Sequence, residues 1–84
     1  MDQCRDLELT IRRGKHSFSC VDTKASVKEK LGIPDKVGGY FENNKVPHMY
    51  KYEGIEFHFS SEGGLVLLYK ENEAGGILLN EKLE

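Results

Sequence analysis

Eighty-four residues, 38% of them hydrophobic and 31% charged, suit one small domain with little room for a second core. The formal charge of −2 argues against a general nucleic-acid binder, and no apolar run approaches the ~20 residues that span a membrane. Four Phe and four Tyr in so short a chain argue against disorder throughout.

In chain order, residues 1–5 read as a loose end, and the polar start MDQCRDLE is unlike a secretory leader. Leu7, Leu9 and Ile11 then alternate with Glu8 and Thr10, the period of a strand with one buried face. Gly14-Lys15 suits a type II′ turn, which would set Ile11 against Phe18 and Leu9 against Cys20. Arg12, Arg13, Lys15 and His16 crowd the tip of this hairpin as a solvated basic end. Cys4 and Cys20 lack metal-type spacing and read as two thiols in a reducing compartment rather than as a disulfide.

The next segment, TKASVKEKLGIPD, reads as a helix capped by Thr23, with Ser26 and Glu29 as an alternative capping box. Val27 and Leu31 form its narrow apolar stripe, while Lys24, Lys28 and Lys30 face water. Gly32 suits a left-handed position beyond the last turn, Ile33 folds back on Val27, and Pro34 ends the helix. So short a helix is marginal alone and must be held by packing on a sheet. From Asp35 to Val46 turn formers dominate (Asp35-Lys36, Gly38-Gly39, Asn43-Asn44), so a loop is expected, pinned by Tyr40 and Phe41. Pro47 opens the following strand, where its missing N–H costs little.

The densest signal is YKYEGIEFHFSSEGGLVLLY, residues 50–69. Ile55, Phe57 and Phe59 alternate with Glu56, His58 and Ser60, and Glu53-Gly54 makes a two-residue turn. That turn places Tyr52 opposite Ile55, Tyr50 opposite Phe57 and Lys51 opposite Glu56; a slip of one residue loses the aromatic and the ionic matches together. Leu65 to Tyr69 is apolar throughout, as in a strand covered on both faces. If Ser60 faces Gly64, then Leu65, Leu67 and Tyr69 join the aromatic face, while Val66 and Leu68 need cover from the N-terminal part or from a second copy. Ile77-Leu78-Leu79 reads as a short edge strand, and residues 81–84 as a loose charged tail. The expected fold is α+β in a single domain over residues 1–84: an N-terminal hairpin and a C-terminal antiparallel meander packed against one short helix.

Chemical motifs are scarce. His48 is expected on the aromatic side of the sheet and His58 on the other, so a zinc site is not expected. Lys51, Glu56 and His58 form a polar cluster on the outer face, read first as solvated surface and otherwise as a ligand or proton-transfer site. Ser60, Ser61 and Cys20 lack a supporting His and acid, no phosphate-cradling loop occurs, and no cofactor is implied.

The helix end LGIPD, the strand pair MYKYEGIEFHF and the strand GGLVLLY together resemble small uncharacterised bacterial proteins. Those share an LG-x-P-D helix end and a KYGDIEFHF-like hairpin; the resemblance runs from Val27 to Tyr69 and brings no activity with it. More loosely, the chain is similar to SmpA/BamE-type lipoprotein domains, which combine a helix ending in LG-x-P with a short antiparallel sheet. The expected function is a non-enzymatic protein-interaction module of the bacterial cytoplasm, as a homodimer or with another protein, and without nucleic acid or membrane. Lys51, Glu56, His58, Val66 and Leu68 are its candidate ligand or interface residues. The alternatives are a small-molecule-binding or enzymatic domain using Glu56 and His58, and a neutralising partner of a toxin or enzyme.

Overall fold

Alternation in the sequence becomes two antiparallel sheets in the computed structural model, which describes residues 4–41 and 45–83. Strands β1 (Leu7–Ile11) and β2 (Gly14–Phe18) form a hairpin, followed by helix α1 (Lys24–Leu31). Strands β3 (Lys36–Phe41), β4 (Val46–Tyr52), β5 (Ile55–Phe59), β6 (Leu65–Glu71) and β7 (Ile77–Lys82) then form a five-stranded meander in sequential order. The fold is the expected α+β arrangement, with the short helix packed against the sheet.

The β4–β5 register is the one the turn dictates: Tyr50 pairs with Phe57, Lys51 with Glu56 and Tyr52 with Ile55. It gathers the rings on one face. Phe57 meets Phe18 of the hairpin edge-on at 5.0 Å and Tyr52 at 5.4 Å, and Tyr50 meets Phe59 at 5.0 Å. Such pairs contribute about 0.5–1.5 kcal/mol each beyond their burial. Ile11, Phe18, Val27, Leu31, Leu65, Leu68 and Leu83 complete the core between the meander and the layer made by hairpin and helix.

Thr23 caps α1, with its hydroxyl accepting the Ser26 N–H and the Ser26 hydroxyl accepting the Thr23 N–H. The buried Asp22 beside it accepts hydrogen bonds from the Ser19 N–H (2.9 Å), the Ser26 hydroxyl (2.7 Å) and the Lys30 ammonium (3.0 Å). Its own carbonyl accepts the Leu65 N–H, so one residue joins hairpin, helix and meander. Lys28 and Lys30 do not simply face water: their ammonium groups lie 5.4 Å over Tyr50 and 4.9 Å over Phe18.

Several expectations are corrected. The first hairpin turns at Arg12-Arg13, with φ of 54° and 65°, rather than at Gly14-Lys15. Ile11 therefore faces Gly14, Leu9 faces His16 and Leu7 faces Phe18. Each arginine bears roughly 1–2 kcal/mol for the left-handed backbone. Arg12 offsets it: its N–H donates to Glu53 at 2.8 Å, and its guanidinium holds Asp35 at 2.8 Å and the Ile33 carbonyl at 3.1 Å. Ile33 does not fold back on Val27 and is 81% exposed. Gly32, at φ 83° and ψ −157°, sends the chain away from the helix, and its carbonyl is taken by the Tyr52 hydroxyl at 2.8 Å.

The loop expected over residues 35–46 contains an edge strand, β3, although its Asn43-Asn44 turn lies outside the described residues. Gly38-Gly39 is not a turn; Gly39, at φ +56°, kinks the strand so that the His48 ring occupies the space a Cβ would take. Nor are the ends loose where they are described. Arg5 donates its N–H to the Leu83 carbonyl and pairs with Glu81 at 2.8 Å; residues 81 and 82 lie in β7, and Leu83 is 1% exposed. Cys4 and Cys20 are joined in a disulfide, with Cα atoms 5.2 Å apart, rather than standing as two thiols.

Candidate functional site

Pairing down the meander sets two rows of side chains on the sheet face turned away from α1. One row is Gly38, Met49, His58, Leu67 and Lys82; the other is Lys36, Lys51, Glu56, Tyr69 and Asn80. Cross-strand neighbours on one face lie about 5 Å apart, close enough for their side chains to interact.

Three of the five anticipated residues meet here. The Glu56 carboxylate stands between His58, whose Nε2 lies 2.9 Å from Oε1, and Lys51, whose Nζ lies 4.0 Å from Oε2. A carboxylate that holds an imidazole in this way orients the ring for proton exchange or for an anionic ligand. The His48 and His58 rings approach to 6.2 Å, closer than opposite faces of the sheet would suggest. Burial, and then the charges of His58 and Lys24, hold the His48 pKa below its ordinary value. Among the described residues no group of three or more His, Cys, Asp or Glu is placed to hold a metal ion. In the next row Tyr69 donates its hydroxyl to Glu71 at 2.8 Å, and that bond, then burial and the carboxylate charges, push its pKa up.

Val66 and Leu68 do not join them. A bulge between His58 and Phe59 shifts the β5–β6 register, so Phe57 faces Leu68 and His58 faces Leu67. Leu68 is therefore wholly buried among the rings, and Leu67 and Tyr69 take the outer face expected for Val66 and Leu68. Val66 instead lines a cleft of about 430 Å³ with Cys20, Thr23, Ser60, Glu62, Gly64 and Leu65. The cleft forms where the β5–β6 turn meets the start of α1: the Lys24 N–H donates to Gly63, and Thr23 bridges Gly64. Lys51, Glu56 and His58 are not among its lining residues. No catalytic pattern in the sequence points to the cleft, because its walls come from two segments far apart in the chain, residues 20–23 and 60–66. The only sequence signals near it are the helix cap Thr23 and the glycine-led turn at Gly63-Gly64.

A different surface is the outer edge of β7, with which no other strand of the described residues pairs. Leu83 donates its N–H to the Val66 carbonyl, so by antiparallel alternation Glu81 turns its backbone groups to β6 and Asn80 and Lys82 turn theirs outward. The Lys82 carbonyl is met there by the Arg5 guanidinium at 3.4 Å. On the same strand Ile77 and Leu78 are 60% and 59% exposed.

Comparison with family models, with curated proteins and with solved structures finds no match to this chain. The fold and its surfaces therefore carry the functional reading by themselves. Among the described residues no helix is long and apolar enough to cross a membrane.

Proposed function

We propose that the chain is a non-enzymatic protein-interaction module that pairs through β7, with a second copy of itself as the partner. The apolar strand β6 is not the reason, since Leu65 and Leu68 are covered within the chain. The observation that carries the reading is β7 at the end of the meander, with Ile77 and Leu78 exposed and the Asn80 backbone turned outward. Edge strands of this kind accept another strand, and an antiparallel pair of identical edges closes on a two-fold axis, with β3 left as the outer edge of each copy. Sedimentation velocity over a wide concentration range tests it. The parent chain is expected to dimerise and Leu78→Lys to remain monomeric with unchanged circular dichroism; a parent chain monomeric at every concentration refutes the pairing.

A second reading, a small-molecule site at Lys51, Glu56 and His58, is favoured by the 2.9 Å contact between Glu56 and His58. Chemical-shift changes confined to these residues on addition of small anions would support it, and their absence would remove it. As to compartment, the Cys4–Cys20 bond favours an oxidising setting over the cytoplasm expected from the sequence.

A further inference from the structure

The Cys4–Cys20 disulfide adjoins both the cleft and the end of the sheet. Cys20 is half-buried and contributes to the cleft wall, whereas Cys4 is exposed. Val66 also lines the cleft, and its carbonyl accepts the N–H of the buried Leu83. Leu83 is in turn held by Arg5, the residue after Cys4, which also reaches the Lys82 carbonyl and Glu81. The disulfide thus closes a clasp that holds the N-terminal segment over the last residues of the meander.

The cleft has the makings of a small-molecule site. Its volume of about 430 Å³ lies within the range of ligand pockets. The Thr23 and Ser60 hydroxyl oxygens accept backbone N–H groups, Thr23 from Ser26 and Ser60 from Glu62 and Gly64. A hydroxyl that accepts in this way can still donate its O–H to a guest. The Glu62 carboxylate adds a negative charge, and Leu65 and Val66 an apolar wall.

We infer that this cleft is a thiol-exchange site, in which a small cationic thiol opens the Cys4–Cys20 disulfide and releases the N-terminal segment from the end of β7. The thiolate sulfur of the guest bonds to Cys20 Sγ while the Cys20–Cys4 bond breaks. The electron pair leaves on Cys4 Sγ, which departs into water as a thiolate and takes a proton there. The first step exchanges one disulfide for another without net oxidation. A second equivalent of the same thiol then displaces the first from Cys20, leaving two protein thiols and the oxidised dimer of the guest. Attack falls on Cys20 because the cleft gives access to it, and Cys4 is the better placed leaving group because it is already exposed.

The test uses the intact oxidised chain with two thiols of opposite charge, cysteamine and mercaptoacetate, and with a thiol attached to a large polymer. Alkylation and peptide mapping follow the exchange, and each rate is divided by that of the same thiol on the urea-unfolded chain, which removes differences in thiol reactivity. The expected result is a mixed disulfide at Cys20, alkylation at Cys4, and a normalised rate about two- to fivefold higher for cysteamine. The polymer-borne thiol should be at least tenfold slower, and amide exchange at Leu83 should rise once the bond opens. Mixed disulfide at Cys4 alone, equal normalised rates for free and polymer-borne thiol, or an unchanged Leu83 amide would each overturn the inference.

Discussion

Two adjacent arginines give a sharp test of how the hairpin is anchored. Arg12 and Arg13 share the left-handed backbone of the turn, at φ 54° and 65°, so glycine relieves the same strain at either position. That relief, roughly 1–2 kcal/mol, is partly cancelled by the roughly 0.5–1 kcal/mol that glycine adds in unfolded-chain entropy. Arg13→Gly should therefore stabilise slightly, by about 0.5 kcal/mol. Arg12→Gly also loses the guanidinium, which bonds to Asp35 and the Ile33 carbonyl and lies 5.0 Å from the centre of the Tyr52 ring. A partly exposed ion pair is worth about 0.2–1 kcal/mol, a hydrogen bond about 0.5–1.5 and a cation–π contact about 0.5–1. Together they separate the two variants by about 1–3 kcal/mol, or on the order of 10 °C in Tm for a domain of this size. Urea unfolding followed by circular dichroism, with m unchanged, reads the difference directly. Equal responses from the two variants would show that Arg12 anchors nothing and would refute the reasoning.

Three further outcomes follow from the packing. Leu68→Ala should cost about 2–5 kcal/mol and Leu67→Ala within about 1 kcal/mol, because the bulge turns Leu68 into the core and Leu67 out of it; thermal unfolding of both variants distinguishes them. Asp22→Asn should cost about 1.5–3 kcal/mol in urea unfolding. Burial pushes the Asp22 pKa up, but its bonds from Ser26, Lys30 and the Ser19 N–H outweigh that and hold it below 3.8. Its folded pKa being depressed, the stabilisation is complete above about pH 3.8 and is lost as pH falls through the folded value; the parent chain should show this loss on acid titration and the Asn variant should not. Tyr52, pushed up to about 12 by burial and then by Tyr50, should show a titration step near that pH in the ultraviolet that Tyr52→Phe removes. Because that pKa is raised, its contribution is whole below about pH 10 and lost as pH rises through about 12.

The central hairpin was legible because two independent patterns, rings on one face and charges on the other, agree only in one register. The helix and its Thr23 cap were legible from local chemistry alone. What escaped depends on contacts distant in the chain. Two arginines take a turn that composition assigns to Gly14 because Arg12 finds Glu53 and Asp35, 41 and 23 residues away. Strand β3 hides behind Gly38-Gly39 because the kink at Gly39 answers to His48 on the neighbouring strand. One bulge at Phe59 is enough to exchange Leu67 for Leu68, and no local signal announces it. For the candidate site, the contact of Lys51, Glu56 and His58 followed from period two, whereas the cleft and the clasp beside Cys20 needed four segments brought together.

The pairing of copies along β7 is tested most directly by amide hydrogen exchange at Asn80 and Glu81 as a function of protein concentration. In dilute solution Glu81, turned to β6, should exchange slowly and Asn80, turned outward, fast. On concentration Asn80 should become protected while Glu81 stays as it was. A fast Asn80 amide at every concentration would contradict the account.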